Sequence, residues 1–153
     1  MAMKTQNISM AQAMTGDFRQ MPENTILIQF ADPDKEFPRV PREFTEIHQF
    51  KCWDVTDTDP KWEQLKASAF SADQAKQLAL ILVHAWEQNQ NVLVHCVAGL
   101  CRSGAVVEIL VSAFKYTAMH NNRIPNFRIR RMLEAALCDI GFFDREDCPA
   151  FTR

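Results

Sequence analysis

The chain has 153 residues, 47% of them apolar and 24% charged, with a net charge of −2. That length fits one domain able to bury a true core, and the charge balance excludes a general attraction to nucleic acid or anionic lipid. No apolar run is long enough to span a bilayer. The N-terminus, MAMKTQNISMAQAMTGDF, lacks the consecutive apolar core of a signal peptide. Five irregularly spaced cysteines argue against a disulfide framework and for reduced thiols, so the chain reads as cytoplasmic, with no membrane contact.

Residues 1–24 are polar and Met-rich and read as a loosely held lead-in, with room for one short helix, to a domain over 25–153. Thr25 to Phe30 (TILIQF) is rich in β-branched and aromatic types and predicts a strand. ADPDKEFPRVPREF, with its three prolines, follows as loop. Thr45 to Trp53 (TEIHQFKCW) predicts a second, more polar strand whose mixed pattern suits a sheet edge or a bulge. Residues 54–70 predict a long surface loop, which in a compact domain is usually functional or disordered.

Ser71 opens a helix, and with Gln74 it forms a capping box. Ala75, Leu78, Ala79, Leu82, Ala85 and Trp86 recur at helical spacing and give it one buried face; Asn89 to Asn91 end it. Asn91 to His95 is a strand with a continuous apolar stretch, as a central parallel strand requires. Ser103 to Met119 predicts a helix apolar nearly all round and therefore buried on most sides. Pro125 precedes a last helix over about Asn126 to Asp139, with Ile129, Met132, Leu133 and Ala136 inward and Gly141 suited to its stop. Strands alternating with helices predict a single α/β domain, a central, mainly parallel sheet of about 4–5 strands with helices on both faces.

The segment HCVAGLCRSG joins the strand ending near His95 to the helix beginning near Arg102. In open α/β sheets ligands bind at that edge, and a helix N-terminus there offers unpaired N–H groups and a positive dipole end. A tight loop can aim further amides inward as an anion nest, and Gly99 gives the backbone freedom to bend. A free thiol has a pKa near 8.5, and such a setting lowers it to roughly 3.5–7.5, so Cys96 is expected as a thiolate. Arg102 carries a planar fork that matches two phosphate oxygens. One loop thus supplies a nucleophile and a cradle for phosphoryl oxygens.

The stretch resembles the signature loop of the cysteine-dependent protein tyrosine phosphatases: His, Cys, five residues, Arg, then Ser or Thr. Here it reads His95, Cys96, Val97, Ala98, Gly99, Leu100, Cys101, Arg102 and Ser103. Length and element order are similar to the small dual-specificity branch in its stand-alone form. The match is specific over about residues 91–111 and architectural over about 25–140. The resemblance implies two-step hydrolysis of phosphotyrosine, and of phosphoserine or phosphothreonine, in a protein or peptide substrate, with no cofactor or metal. Cys96 would take the phosphoryl group. Arg102 and the backbone of Val97, Ala98, Gly99, Leu100 and Cys101 would hold it until water releases it. Ser103 would stabilise the departing thiolate, and His95 would brace the loop and help keep the thiol acidic. Taken singly, each has a plainer role: a buried core thiol, a core histidine, a helix N-cap.

The family draws its proton donor from an Asp on a loop just after a strand, ahead of the cysteine loop. KCWDVTDTDP offers Asp54, Asp57 and Asp59. Asp54, directly at the strand end, fits that pattern best; Asp57 and then Asp59 are the alternatives, and at least two of the three are solvated loop carboxylates. The loop behind Asp54 is longer than in the common dual-specificity form and could close over substrate, with Trp53 and Trp62 either framing the pocket or simply packing. Cys101 or Cys52 could trap an oxidised Cys96 as a disulfide, although packing is the commoner role of free thiols. Arg128, Arg130 and Arg131, like Arg39 and Arg42, are either solvated faces or an attraction for an acidic substrate segment.

The chain is too short for the extra segments that wall a deep phosphotyrosine slot, so a shallow site is expected. Uncharged Val97, Ala98, Leu100 and Cys101 count against a phosphoinositide or other non-protein phosphate, whose phosphatases in this superfamily usually carry cradle lysines. A sulfurtransferase of the rhodanese kind and a phosphate-binding module without turnover are the remaining alternatives. The spacing of His95, Cys96 and Cys101 does not suit a metal site.

Overall fold

The computed structural model describes residues 3–143 apart from Asp17 and Arg19. Its strands are β1 (Lys4–Ser9), β2 (Thr25–Ala31), β3 (Ile47–Lys51), β4 (Asn91–Cys96) and β5 (Thr117–Ala118). Its helices are α1 (Met10–Thr15), α2 (Trp62–Leu65), α3 (Ala72–Glu87), α4 (Arg102–Phe114) and α5 (Phe127–Asp139), with a 3-10 turn at Lys66–Ser68. The strands form one sheet in the order β3-β2-β4-β1-β5, with every pairing parallel.

The central strands are apolar on both faces because both faces are covered. Ile26, Ile28, Val92 and Val94 point to the side packed by Leu78 and Leu82 of α3, Val106 and Leu110 of α4, and Ile129 and Leu133 of α5. Leu27, Leu93 and Ile8 point the other way, onto Ala13 of α1 and onto Phe18, Met21, Val40 and Phe44. The helix starts follow local chemistry. Ser71 and Gln74 form the expected capping box, and Asn126 caps α5 by accepting from the Ile129 N–H. The polar strand β3 lies at the sheet edge. No helix among the described residues is long and apolar enough to cross a membrane.

Four expectations need correction. Residues 4–9 are not a loose lead-in: they form β1, an inner strand hydrogen-bonded to β4 on one side and β5 on the other. Buried Thr5 and Asn7 break its apolar pattern, so the strand gives no hydrophobic alternation to read. The helix expected to run to Met119 stops at Phe114. Lys115 takes the left-handed conformation (φ 63°), and the Tyr116 N–H returns to the Leu110 carbonyl at 3.0 Å. Residues beyond it pair with β1 as β5. The 54–70 stretch is a closed excursion containing α2 and the 3-10 turn. Its ends meet where the Trp53 N–H donates to the Ser68 carbonyl at 3.0 Å. The thiols are also not uniformly reduced: Cys52, Cys96 and Cys101 are free, whereas Cys138 on α5 is disulfide-bonded.

Candidate active site

β4 is the middle strand, so its C-terminal end delivers Cys96 to the centre of the sheet's carboxyl edge, between the ends of β1 and β2. The chain then bends through Gly99 at φ +77° and enters α4 at Arg102. The hydrogen bonds of this loop run in a consistent sense. The Val97 carbonyl accepts from the Met10 N–H at 3.1 Å, and the Gly99 carbonyl from Asn7 Nδ2 at 2.7 Å. The Leu100 carbonyl accepts from the Ile124 N–H at 3.0 Å, and that of Cys101 from Asn126 N–H and Ala105 N–H, both at 2.9 Å. These carbonyls are thereby drawn outward to β1, α4 and the 119–126 segment. The loop amides stay free of protein acceptors, save that the Gly99 N–H donates to Cys96 Sγ at 3.2 Å. An arc of unpaired amides ahead of a helix N-terminus is an anion-binding concavity.

Cys96 is 2% exposed, and its sulfur lies 3.1 Å from the Ser103 hydroxyl. The sulfur thus accepts from the Gly99 N–H on one side and meets the Ser103 hydroxyl on the other. Arg102 closes the ring and is itself buried. Its Nη1 donates to Asp32 Oδ1 at 2.8 Å and to the Cys52 carbonyl at 2.6 Å. Nε is buried and has no partner. The guanidinium is thus anchored through one nitrogen, leaving the other edge of its fork, Nε with Nη2, for an oxyanion.

Of the three candidate acids, only Asp54 is tied to the cradle. Its Oδ1 accepts from Asn126 Nδ2 at 2.7 Å, and Asn126 also bonds the Cys101 carbonyl. Asp57 faces α5 instead, paired with Arg128 at 3.3 Å and Arg131 at 3.2 Å. Slight burial would raise its carboxyl, but the hydrogen bonds from Arg131 and Arg128 outweigh that and hold it below the usual range. Asp59 caps its own turn, accepting from the Lys61 N–H at 2.9 Å. Trp62 lies under the Arg128 guanidinium, 4.9 Å from ring to Cζ, and Arg130 pairs with Glu134. Loop 54–70 is therefore fastened to α5, and the basic cluster is engaged in ion pairs within the chain.

His95 is wholly buried, and neither ring nitrogen makes a well-formed hydrogen bond, although the backbone at Cys96 lies near enough to favour its charged form in part. Burial, reinforced by the Arg102 charge, pushes it down to about 4, which leaves it neutral at pH 7. Burial pushes Cys52 up to about 12 and Cys101 up to about 11, the latter helped by the Asp54 charge and a hydrogen bond to it. At neutral pH both are held as thiols, the less nucleophilic form.

Three residues of the site escape a reading of the sequence. Asp32 stands directly after β2, the strand-end placement expected of Asp54, so its signal was there to find; β3 itself ends at Lys51, short of the Trp53 expected, and leaves Asp54 three residues beyond it. Asn126 reads only as a helix start. Asn7 carries no signal at all, because nothing local says that its amide will bridge the Gly99 and Asn122 carbonyls, at 2.7 and 3.0 Å.

No protein-family model and no curated protein matches the chain. Among solved structures it is similar to a mouse putative dual specificity phosphatase complexed with zinc tungstate. The TM-score is 0.53 and the identity 15%, over 90% of this chain and 86% of the mouse chain. At that identity the likeness is one of fold: this chain shares the parallel α/β architecture of the mouse protein.

Proposed function

We propose that the protein is a phosphomonoester hydrolase that acts on phosphotyrosine, and on phosphoserine or phosphothreonine, in proteins or peptides. The reaction runs through a phosphoryl-cysteine intermediate on Cys96. The observation that carries this reading is the outward pairing of the cradle carbonyls around a buried sulfur, with the Arg102 fork anchored at its rim. Cys96 Sγ attacks phosphorus, the bond to the ester oxygen breaks, and its electron pair leaves on that oxygen with a proton from Asp54. The equatorial oxygens meet the free amides and the open edge of Arg102; positioning and charge stabilisation of this kind supply most of such catalysis. Water then attacks phosphorus, Asp54 takes its proton, and the pair of the P–S bond returns to Cys96. There the Ser103 hydroxyl and Gly99 N–H receive the thiolate.

The absence of charge on Val97, Ala98, Leu100 and Cys101, with Arg128 and Arg131 paired to Asp57, supports a singly phosphorylated substrate over an inositol polyphosphate. The likeness to the fold of a phosphatase supports the same class. Steady-state hydrolysis of a generic aryl phosphate, with acid-quench trapping of phosphocysteine, tests it in the parent and in Cys96→Ser. Turnover and a trapped intermediate in the parent, both lost in the variant, are expected. Turnover that survives the substitution removes Cys96 as nucleophile and the proposal with it.

A further inference from the structure

We propose that the outer edge of β3, with the groove beside it, is a docking strip for an acidic, extended segment of a partner protein, which adds to the sheet as a further strand. This does not depend on the chemistry at Cys96. β3 ends the sheet and pairs only with β2. The Leu27 N–H donates to the Glu46 carbonyl at 2.9 Å, and the Cys52 N–H to the Ala31 carbonyl at 3.1 Å. Leu27 lies level with Ile47, and Ala31 with Lys51. That register commits Glu46, His48, Phe50 and Cys52 to the ladder with β2, so Ile47, Gln49 and Lys51 turn their N–H and C=O groups outward. Among the described residues one of those outward groups has a partner, the Lys51 carbonyl, which accepts from Gln74 Nε2 at 2.9 Å.

The same strand borders a groove of about 400 Å³. Gln29 and Gln49 give it a polar floor, with Gln49 Nε2 donating to Gln29 Oε1 at 2.8 Å, and Pro38, Val40, Phe44 and Ile47 give it apolar walls. Ile47 is 47% exposed, so an apolar surface is offered where the main-chain groups are free. The charges there are unbalanced. Arg39 and Arg42 line the groove and Lys51 follows on the strand, against the single lining carboxylate of Glu43. Arg42 bonds only to the Met21 and Pro22 carbonyls, Lys51 lies over the Phe37 ring, and Glu46 is already paired with His48. An extended acidic peptide uses all of these features at once. Its backbone meets Ile47 and Gln49, alternate side chains fall on the groove side, and its carboxylates meet the excess positive charge. A helix has no free main-chain groups to offer an edge, and a small anion would leave the apolar walls unused.

Labelled octapeptides in which valine alternates with glutamate, threonine or lysine are the probes, and fluorescence anisotropy reads their binding to the full chain. The glutamate series should bind tightest and weaken as salt rises. In the parent, saturating peptide should slow hydrogen exchange of the Ile47 and Gln49 amides about 10-fold or more, a readout that needs no variant. Gln49→Pro removes an outward N–H without touching the ladder to β2, whereas Gln49→Ala removes the same side chain and keeps that N–H. Affinity should fall about 10-fold or more in Gln49→Pro and less than about threefold in Gln49→Ala, with urea midpoints confirming that both fold. Arg39→Glu should erase the preference for glutamate over lysine. No binding by any series, binding that leaves the two amides exchanging as before, or equal affinities in the two Gln49 variants overturn the proposal. A dimer in sedimentation that Gln49→Pro disperses puts a second copy of the chain on the strip and overturns the assignment to a partner.

Discussion

Gly99→Ala puts the bracing of the cradle by β1 to a quantitative test. A Cβ at position 99 would stand 2.4 Å from the Ile8 carbonyl carbon and from the Ser9 nitrogen, and 2.7 Å from the Ile8 oxygen. Carbon contacts settle at about 3.5–4.0 Å, so strand and loop would have to part by roughly 1 Å. Overpacking of that kind costs about 1–3 kcal/mol, the left-handed backbone at φ +77° costs alanine about 1–2, and weakening the buried Asn7–Gly99 bond about 1 more. The whole comes to about 3–6 kcal/mol, a large share of an ordinary domain's stability. Gly141→Ala is the control, since it shares a positive φ of 81° but meets nothing within 4 Å. Urea unfolding should place Gly99→Ala at least about 2 kcal/mol below Gly141→Ala, the excess being the clash together with the weakened Asn7–Gly99 bond. Because the Gly99 N–H also donates to the sulfur of Cys96, initial rates on an aryl phosphate should fall about 10-fold or more wherever the variant remains folded. A Gly99→Ala protein as stable and as active as Gly141→Ala would refute the claim that β1 sets the shape of the cradle.

Asp32→Asn removes the charge that anchors Arg102 while leaving the Cys52 carbonyl in place. A charge-assisted hydrogen bond contributes about 1.5–3 kcal/mol, so kcat/KM on an aryl phosphate should drop about 10- to 100-fold. An unchanged or tighter KM would mean that the fork needs no anchor. His95 gives a stability signature with a definite sign. Its folded pKa is depressed from 6.5 to about 4, so between those values the unfolded chain binds a proton that the folded chain refuses. Stability is therefore full above about pH 6.5 and lost as pH falls toward 4, by about 2 kcal/mol between pH 7 and pH 5. Urea midpoints for the parent and His95→Asn at the two pH values check this. Equal losses in both proteins would show that the imidazole is not the group responsible.

The readable part of this molecule is the part whose signals are local. The run from Asn91 to Phe114 declares itself through an unbroken apolar strand, a glycine that bends and a helix buried nearly all round, and each of these holds in the fold. Ser71 and Gln74 cap α3 as written, because a capping box needs only four residues. What fails is whatever depends on distant partners. KTQNIS becomes an inner strand only because β4 and β5 pair with its backbone, and its buried Asn7 would be an unexplained polar residue without the Gly99 and Asn122 carbonyls. Asp32 and Asn126 look like a loop acid and a helix cap until the fold sets them beside Arg102 and Asp54.

The same division runs through the chemistry. A thiol and an arginine that share one loop can be named from nine consecutive residues, but the direction in which the loop's peptide units face cannot. A peptide unit offers an anion its N–H only if its carbonyl is satisfied elsewhere, since a buried, unpaired carbonyl costs about 1–3 kcal/mol and would otherwise turn to find a donor. Here the donors come from Asn7, Met10, Ala105, Ile124 and Asn126, most of them far from the loop in sequence. HCVAGLCRS in a chain without them would keep its thiol and its arginine, yet its backbone would be free to present oxygens where phosphate oxygens must lie. The orientation of the loop's amides is thus a property of the surrounding strand, helix and loop, which is why β1 and the N-terminus of α5 belong to the candidate site as much as Cys96 does.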